Sequence, residues 1–154
     1  MSNNPPGPPD APAPPGSAVP VLSIVIVSFN AREDLARCLE SLHERAAVTP
    51  HEIIVVDNAS TDGSAGAARR RAGVRVIEAG GNLGFARGTN VGIRESRGDL
   101  LLLLNSDTVV PPQAIDRLVD EIERDRSVAV VGPRLVDGDG RAELSFGSMP
   151  GPFN

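Results

Sequence analysis

Three short segments combine residue types that can bind a sugar or base, an anion or a hard cation. Asp57 ends an apolar run, Ile53-Ile54-Val55-Val56-Asp57. A carboxylate at the end of such a run loses water and must be paired. Its partner is either a base or ribose donor of a ligand, or a backbone amide of the turn that follows. Asp62, three residues before Ala65, reads as a helix cap rather than a ligand contact. Gly80-Gly81-Asn82-Leu83-Gly84 opens a helical pattern. Its glycines allow close backbone approach, and a helix start favours an anion such as a pyrophosphate. No G-x-G-x-x-G follows the first apolar run, so this is not the dinucleotide fingerprint. Asn105-Ser106-Asp107 follows the most hydrophobic stretch of the chain. Side chains two apart on an extended segment point the same way. Their oxygens suit Mg²⁺ or Mn²⁺, and a single carboxylate is sufficient if a diphosphate completes the shell. The competing reading is a strand-end turn feeding Pro111-Pro112.

These segments need a scaffold, and the hydropathy pattern supplies one. Leu22–Ser28 and Glu52–Asp57 read as strands rich in Val and Ile. Leu35, Cys38, Leu39 and Leu42 fall at helical spacing between them. A short helix over Ser64–Ala72, a strand over Val74–Glu78 and a helix over Phe85–Arg97 follow. Asp99–Asn105, with five successive leucines, reads as a central strand. Ile115, Leu118, Val119 and Ile122 repeat the helical spacing, and Val128–Gly132 reads as a fifth strand. Strict β-α alternation predicts an α/β fold, a mostly parallel sheet with helices on both faces. In such sheets ligands bind beyond the carboxyl ends of the strands. Four strand ends run into polar loops: Ser28-Phe29-Asn30, the loop from Asp57 to Gly63, the loop from Gly80 to Gly84, and Asn105-Ser106-Asp107-Thr108. Polar loops also make ordinary turns; four at one edge favour a cleft.

Composition narrows the function classes. The chain has 154 residues, 20 acidic and 15 basic, with a formal net charge of -5 and 3% aromatic residues. That balance argues against a nucleic-acid partner read through a basic face or base stacking. Every basic residue is Arg, so lysine Schiff-base chemistry and a phosphate-binding loop lysine are excluded. One cysteine, Cys38, excludes a disulfide framework, and two histidines argue against a His/Cys zinc site. No apolar run is long enough for a transmembrane segment, and the first 20 residues carry no secretory pattern. Residues 1–20 hold eight of the 14 prolines and read as a disordered, polyproline-like tail. The folded part is expected over residues 21–154.

Val21–Asn30, Ile53–Gly63, Asn82–Ile93 and Leu101–Pro112 together resemble the inverting glycosyltransferases of family 2, the rhamnosyltransferase-like branch most closely. The resemblance covers roughly residues 21–150 and takes all four loops in order. It implies a GT-A-type, Rossmann-like fold and a nucleotide-sugar donor, dTDP-rhamnose or a UDP-sugar. It also implies Mg²⁺ or Mn²⁺ as cofactor and a saccharide or lipid-linked acceptor in bacterial surface-polysaccharide synthesis. The location it implies is cytoplasmic, at most peripheral at the inner membrane in the full-length enzyme. Carried over, Ser28 and Asn30 would lie along the nucleoside, and Asp57 would accept a hydrogen bond from the base. Asn82 and Gly84 would line the donor pocket, and Asn105-Ser106-Asp107 would occupy the family's D-x-D position, with Asp107 on the metal. Asn105 stands where many members have Asp, which removes one charge. Family members continue past the fifth strand into an acceptor half that holds the general base. The expectation is therefore a truncated chain, the donor-binding part only, inactive by itself. The alternative is a non-catalytic nucleotide-sugar-binding module without that base. Asp137-Gly138-Asp139-Gly140 reads as a hairpin turn, not as that base. A receiver-type signalling domain is disfavoured, because it wants a lysine at the sheet edge.

Overall fold

The computed structural model describes residues 20–44, 47–137 and 141. The Pro-rich stretch, apart from Pro20, and the tip of the expected hairpin at 138–140 lie outside those residues. Four strands, β1 (Leu22–Ser28), β2 (His51–Asp57), β3 (Val74–Glu78) and β4 (Leu100–Asn105), alternate with four helices. The helices are α1 (Arg32–Glu44), α2 (Ser64–Arg69), α3 (Phe85–Arg94) and α4 (Ala114–Arg124). The strands form one sheet in the order β3-β2-β1-β4, and every pair is parallel. All four carboxyl ends therefore lie along one edge, as the alternation predicts.

Two layers of helices cover the sheet. On one face Ile24 and Ile26 of β1 and Ile53 and Val55 of β2 pack with Leu35, Cys38, Leu39 and Leu42 of α1, Ala68 of α2, and Ile115 and Val119 of α4. On the other face α3 lies against β1 and β2. Gly92 makes that contact close: a Cβ there would stand 2.3 Å from Val25 Cγ1. β1 and β2 are covered on both sides and read as continuous apolar runs for that reason.

Two expectations are corrected. Asp99–Asn105 does not become a central strand: β4 is the last strand of the sheet among the described residues. Its burial alternates along the strand, with Leu101 46% and Leu103 50% exposed, because α3 covers β1 and β2 and not β4. Val128–Gly132 is not a strand of the sheet. Ala129, Val130 and Val131 instead line a small apolar cavity with β4 and α4, and Val130 is largely exposed. An apolar run shows that a segment can be buried, but not that a neighbour accepts its backbone hydrogen bonds. The reversal at Asp137 is present: its N–H donates to Arg141 O, and Arg141 N–H donates to Asp137 Oδ1. Helices α2 and α3 end earlier than their sequence patterns suggest, at Arg69 and Arg94.

Candidate functional site

The parallel register sets Ser28 beside Asp57 at the carboxyl ends of β1 and β2, and Val27 beside Asn105 of β4. Ser28 and Asp57 are both buried, at 0% and 4% exposure. Asp57 Oδ2 accepts a hydrogen bond from Ser60 N–H at 3.0 Å, the turn-capping role. Asp57 Oδ1 and Ser28 Oγ have no partner among the described residues. The Ser60 contact shows the turn-capping reading of Asp57, and Oδ1 is a buried acceptor without a partner among the described residues. Leaving such a group unpaired costs about 1–3 kcal/mol. Thr89 Oγ1 in α3, Ser64 Oγ at the start of α2 and Arg75 Nε of β3 also have no partner among the described residues.

The loops that carry the other expected residues are tied to one another. Asn30 adopts the left-handed region at φ 49°. Its Oδ1 accepts from Thr61 N–H at 2.8 Å, and its own N–H donates to Ser60 Oγ. Asn30 therefore joins the first loop to the second. Asp62 accepts from Ser64 N–H and from Arg32 N–H, the first amides of α2 and α1, while Gly63 holds the N-cap position of α2. Asn58 was not singled out from the sequence. It is buried, its Nδ2 donates to Gly84 O at 3.2 Å, and its Oδ1 accepts from Leu83 N–H at 3.4 Å. Its signal was visible only as its place directly after Asp57, because both partners lie about 25 residues further on. Asn82 is exposed and its Oδ1 accepts from Gly84 N–H, shaping its own loop. Gly84 has φ 76°, a conformation that favours glycine.

Asn105 ends β4 and Asp107 lies in the turn that follows, both exposed; the extended geometry expected of Asn105-Ser106-Asp107 is corrected to a strand-end turn. Asn105 O accepts from Thr108 N–H at 3.2 Å. Among the described residues no three His, Cys, Asp or Glu side chains converge on one point. The segment therefore offers one carboxylate and one neutral amide oxygen. That donor set fits a hard cation only when a ligand supplies further oxygens. Two cavities lie away from this edge, between α1 and α2 and between β4 and α4.

A parallel α/β sheet whose polar loops gather at the carboxyl edge defines a doubly wound class of domain, in which ligands bind beyond the strand ends. Comparison with known proteins makes the class specific. The profile of glycosyl transferase family 2 matches residues 23–152, and the chain belongs to that family. The N-acetylglucosaminyl-diphospho-decaprenol L-rhamnosyltransferase of Mycobacterium tuberculosis is 33% identical over 142 residues. That match covers 84% of this chain and 46% of the relative, so the chain spans about half of that protein's length. Among solved structures, a mannosyltransferase from Pyrobaculum calidifontis in complex with GDP-Man and Mn²⁺ superposes with a TM-score of 0.63 at 23% identity. It covers 69% of this chain and 33% of that one. S. aureus TarS in complex with UDP-GlcNAc gives a TM-score of 0.60 at 22% identity over 67% of this chain and 31% of its own. These neighbours share the GT-A fold. No helix among the described residues is long and apolar enough to cross a membrane.

Proposed function

We propose that this chain is the donor-binding part of an inverting glycosyltransferase that takes a sugar from dTDP-rhamnose or a UDP-sugar. The observation that carries the reading is the pair of buried, open acceptors at one strand edge, Ser28 Oγ and Asp57 Oδ1. Asp57 Oδ1 suits an N–H of the base or a ribose hydroxyl, and Ser28 Oγ can donate or accept. Asn30, Asn82 and Gly84 belong to the loops that follow β1 and β3 at the same edge of the sheet.

In the whole enzyme an acceptor hydroxyl attacks the anomeric carbon from the face opposite the diphosphate. The bond from that carbon to the diphosphate oxygen breaks, and the acceptor's proton passes to a base outside the assigned residues. Asp107, with Asn105 beside it, would hold Mg²⁺ or Mn²⁺ against the diphosphate. The ion would offset the charge developing on that leaving group. The rhamnosyltransferase relative supports a saccharide or lipid-linked acceptor and a role in cell-surface polysaccharide synthesis.

The test is a calorimetric titration of the 154-residue chain with UDP, dTDP, GDP and inorganic diphosphate, each with Mn²⁺. The reading expects UDP or dTDP to bind at least about tenfold tighter than inorganic diphosphate, a difference of about 1.4 kcal/mol. Equal affinity for all four would contradict a base-reading site.

A further inference from the structure

The carboxylate assigned to the metal side of the cleft sits on a loop held from below by α1. Asn105 O, at one end of that loop, accepts from Cys38 Sγ at 3.7 Å. Val110 N–H, at the other end, donates to Ser41 Oγ at 3.0 Å. The Ser41 hydroxyl donates in turn to Cys38 O at 2.7 Å, so it is both donor and acceptor. Cys38 and Ser41 are one helical turn apart and share a face of α1. Val110 is buried in the core cluster, which fixes the far anchor. The two contacts bracket Ser106–Val109, with Asp107 between them.

We infer that Ser41, together with Cys38, is a positioning residue that fixes where Asp107 presents its carboxylate to a metal–diphosphate ligand. The inference rests on the proposed role of Asp107. Ser41 reaches the ligand only through the loop. Without its hydroxyl, Val110 N–H is left buried and unpaired, and the loop must move to satisfy it. Such a shift displaces Asp107 while the Asp57 side of the cleft, tied to other loops, stays in place.

The experiment compares UDP affinity with MnCl₂ and with chelator in the wild-type chain, Ser41→Ala, Ser41→Thr and Asp107→Asn. Ser41→Ala is expected to reduce the Mn²⁺-dependent gain in UDP affinity at least about fivefold, the low end of ordinary coupling between sites. Its affinity in chelator should stay within about twofold of wild type, because the nucleoside side is untouched. Ser41→Thr keeps the hydroxyl and should restore the gain. A folded Ser41→Ala that keeps the full gain, while Asp107→Asn loses it, overturns the positioning role and leaves the site assignment standing. If Asp107→Asn also keeps the gain, the assignment of Asp107 falls and the inference falls with it. Should Ser41→Ala not fold, Cys38→Ala, which removes the donor to Asn105 O, gives the second reading. It should lower the Mn²⁺-dependent gain while affinity in chelator stays within about twofold of wild type. A folded Cys38→Ala that keeps the full gain would overturn the inference.

Discussion

The two ends of β1 and β2 carry the same kind of pair and treat it in opposite ways. At the amino-terminal end Ser23 stands beside Glu52 in register; at the carboxyl end Ser28 stands beside Asp57. All four residues are buried. Ser23 Oγ donates to Glu52 Oε1 at 2.8 Å and accepts from Gly98 N–H at 2.9 Å. Glu52 also accepts from Arg97 N–H and from its guanidinium, and Arg75 bridges Glu52 and Glu95. Within that cluster only Arg75 Nε lacks a partner among the described residues. Ser28 Oγ and Asp57 Oδ1, by contrast, have none. The first end is closed by the chain itself, where it fastens β1, β2 and the entry to β4. The second is left open where the loops converge. Polar groups are buried at both ends, so burial alone does not mark a site. What distinguishes the carboxyl end is that a carboxylate oxygen and the hydroxyl beside it in register both lack a partner among the described residues.

Breaking the closed end should have the largest effect. Glu52→Gln weakens several charge-assisted hydrogen bonds at once, and a loss of about 1.5–3 kcal/mol is expected in urea unfolding. The loss should depend on pH. Burial opposes ionisation of Glu52, but the hydrogen bonds from Ser23 and Arg97 and the Arg97 charge outweigh it and hold the carboxyl below its usual range. A lowered folded-state pKa contributes stability above the unfolded value and loses it as pH falls through the folded value. The gap between wild type and Glu52→Gln should therefore be full at neutral pH and shrink below about pH 4.3. A gap constant from neutral to acid pH would mean that charge does not enter.

The matched serines sharpen the contrast at smaller magnitude. Ser23→Ala removes a hydroxyl with partners on both sides and should cost about 1–3 kcal/mol. Ser28→Ala removes a buried hydroxyl that has none, so the ligand-free chain should lose nothing or gain up to about 1 kcal/mol. Equal losses at the two positions would mean that Ser28 has an internal partner after all, and the asymmetry would collapse.

Much of this was legible in the sequence, and the parts that were not share a cause. The β-α alternation, the shared edge of four loops and the contact of Asp62 with the start of α2 follow from local patterns. Asp57 was read in two ways; the turn contact of Oδ2 is present, and the ligand contact of Oδ1 is the proposal. The leucines of β4 misled, because five in a row imply burial on both faces while only one face is covered. Asn58 and the Ser23–Glu52 pair depend on register and on loops far along the chain, which no local pattern contains. Cys38 and Ser41 read simply as positions on a helix; their contacts to the Asn105–Val110 loop lie about 70 residues away.

The central claim is that Asp57 Oδ1 is kept unpaired for a ligand. Asp57→Asn tests it most directly. The amide oxygen can still accept from Ser60 N–H and hold the turn, while a donor NH₂ replaces the open acceptor. Urea unfolding and UDP or dTDP calorimetry on the same preparation separate the two roles. The account predicts stability within about 1 kcal/mol of wild type, the size of one ordinary hydrogen bond. It predicts nucleotide affinity lower by about tenfold to a hundredfold, from a lost bond to a charged group. A stable, folded Asp57→Asn that binds the nucleotide as tightly as wild type would contradict it.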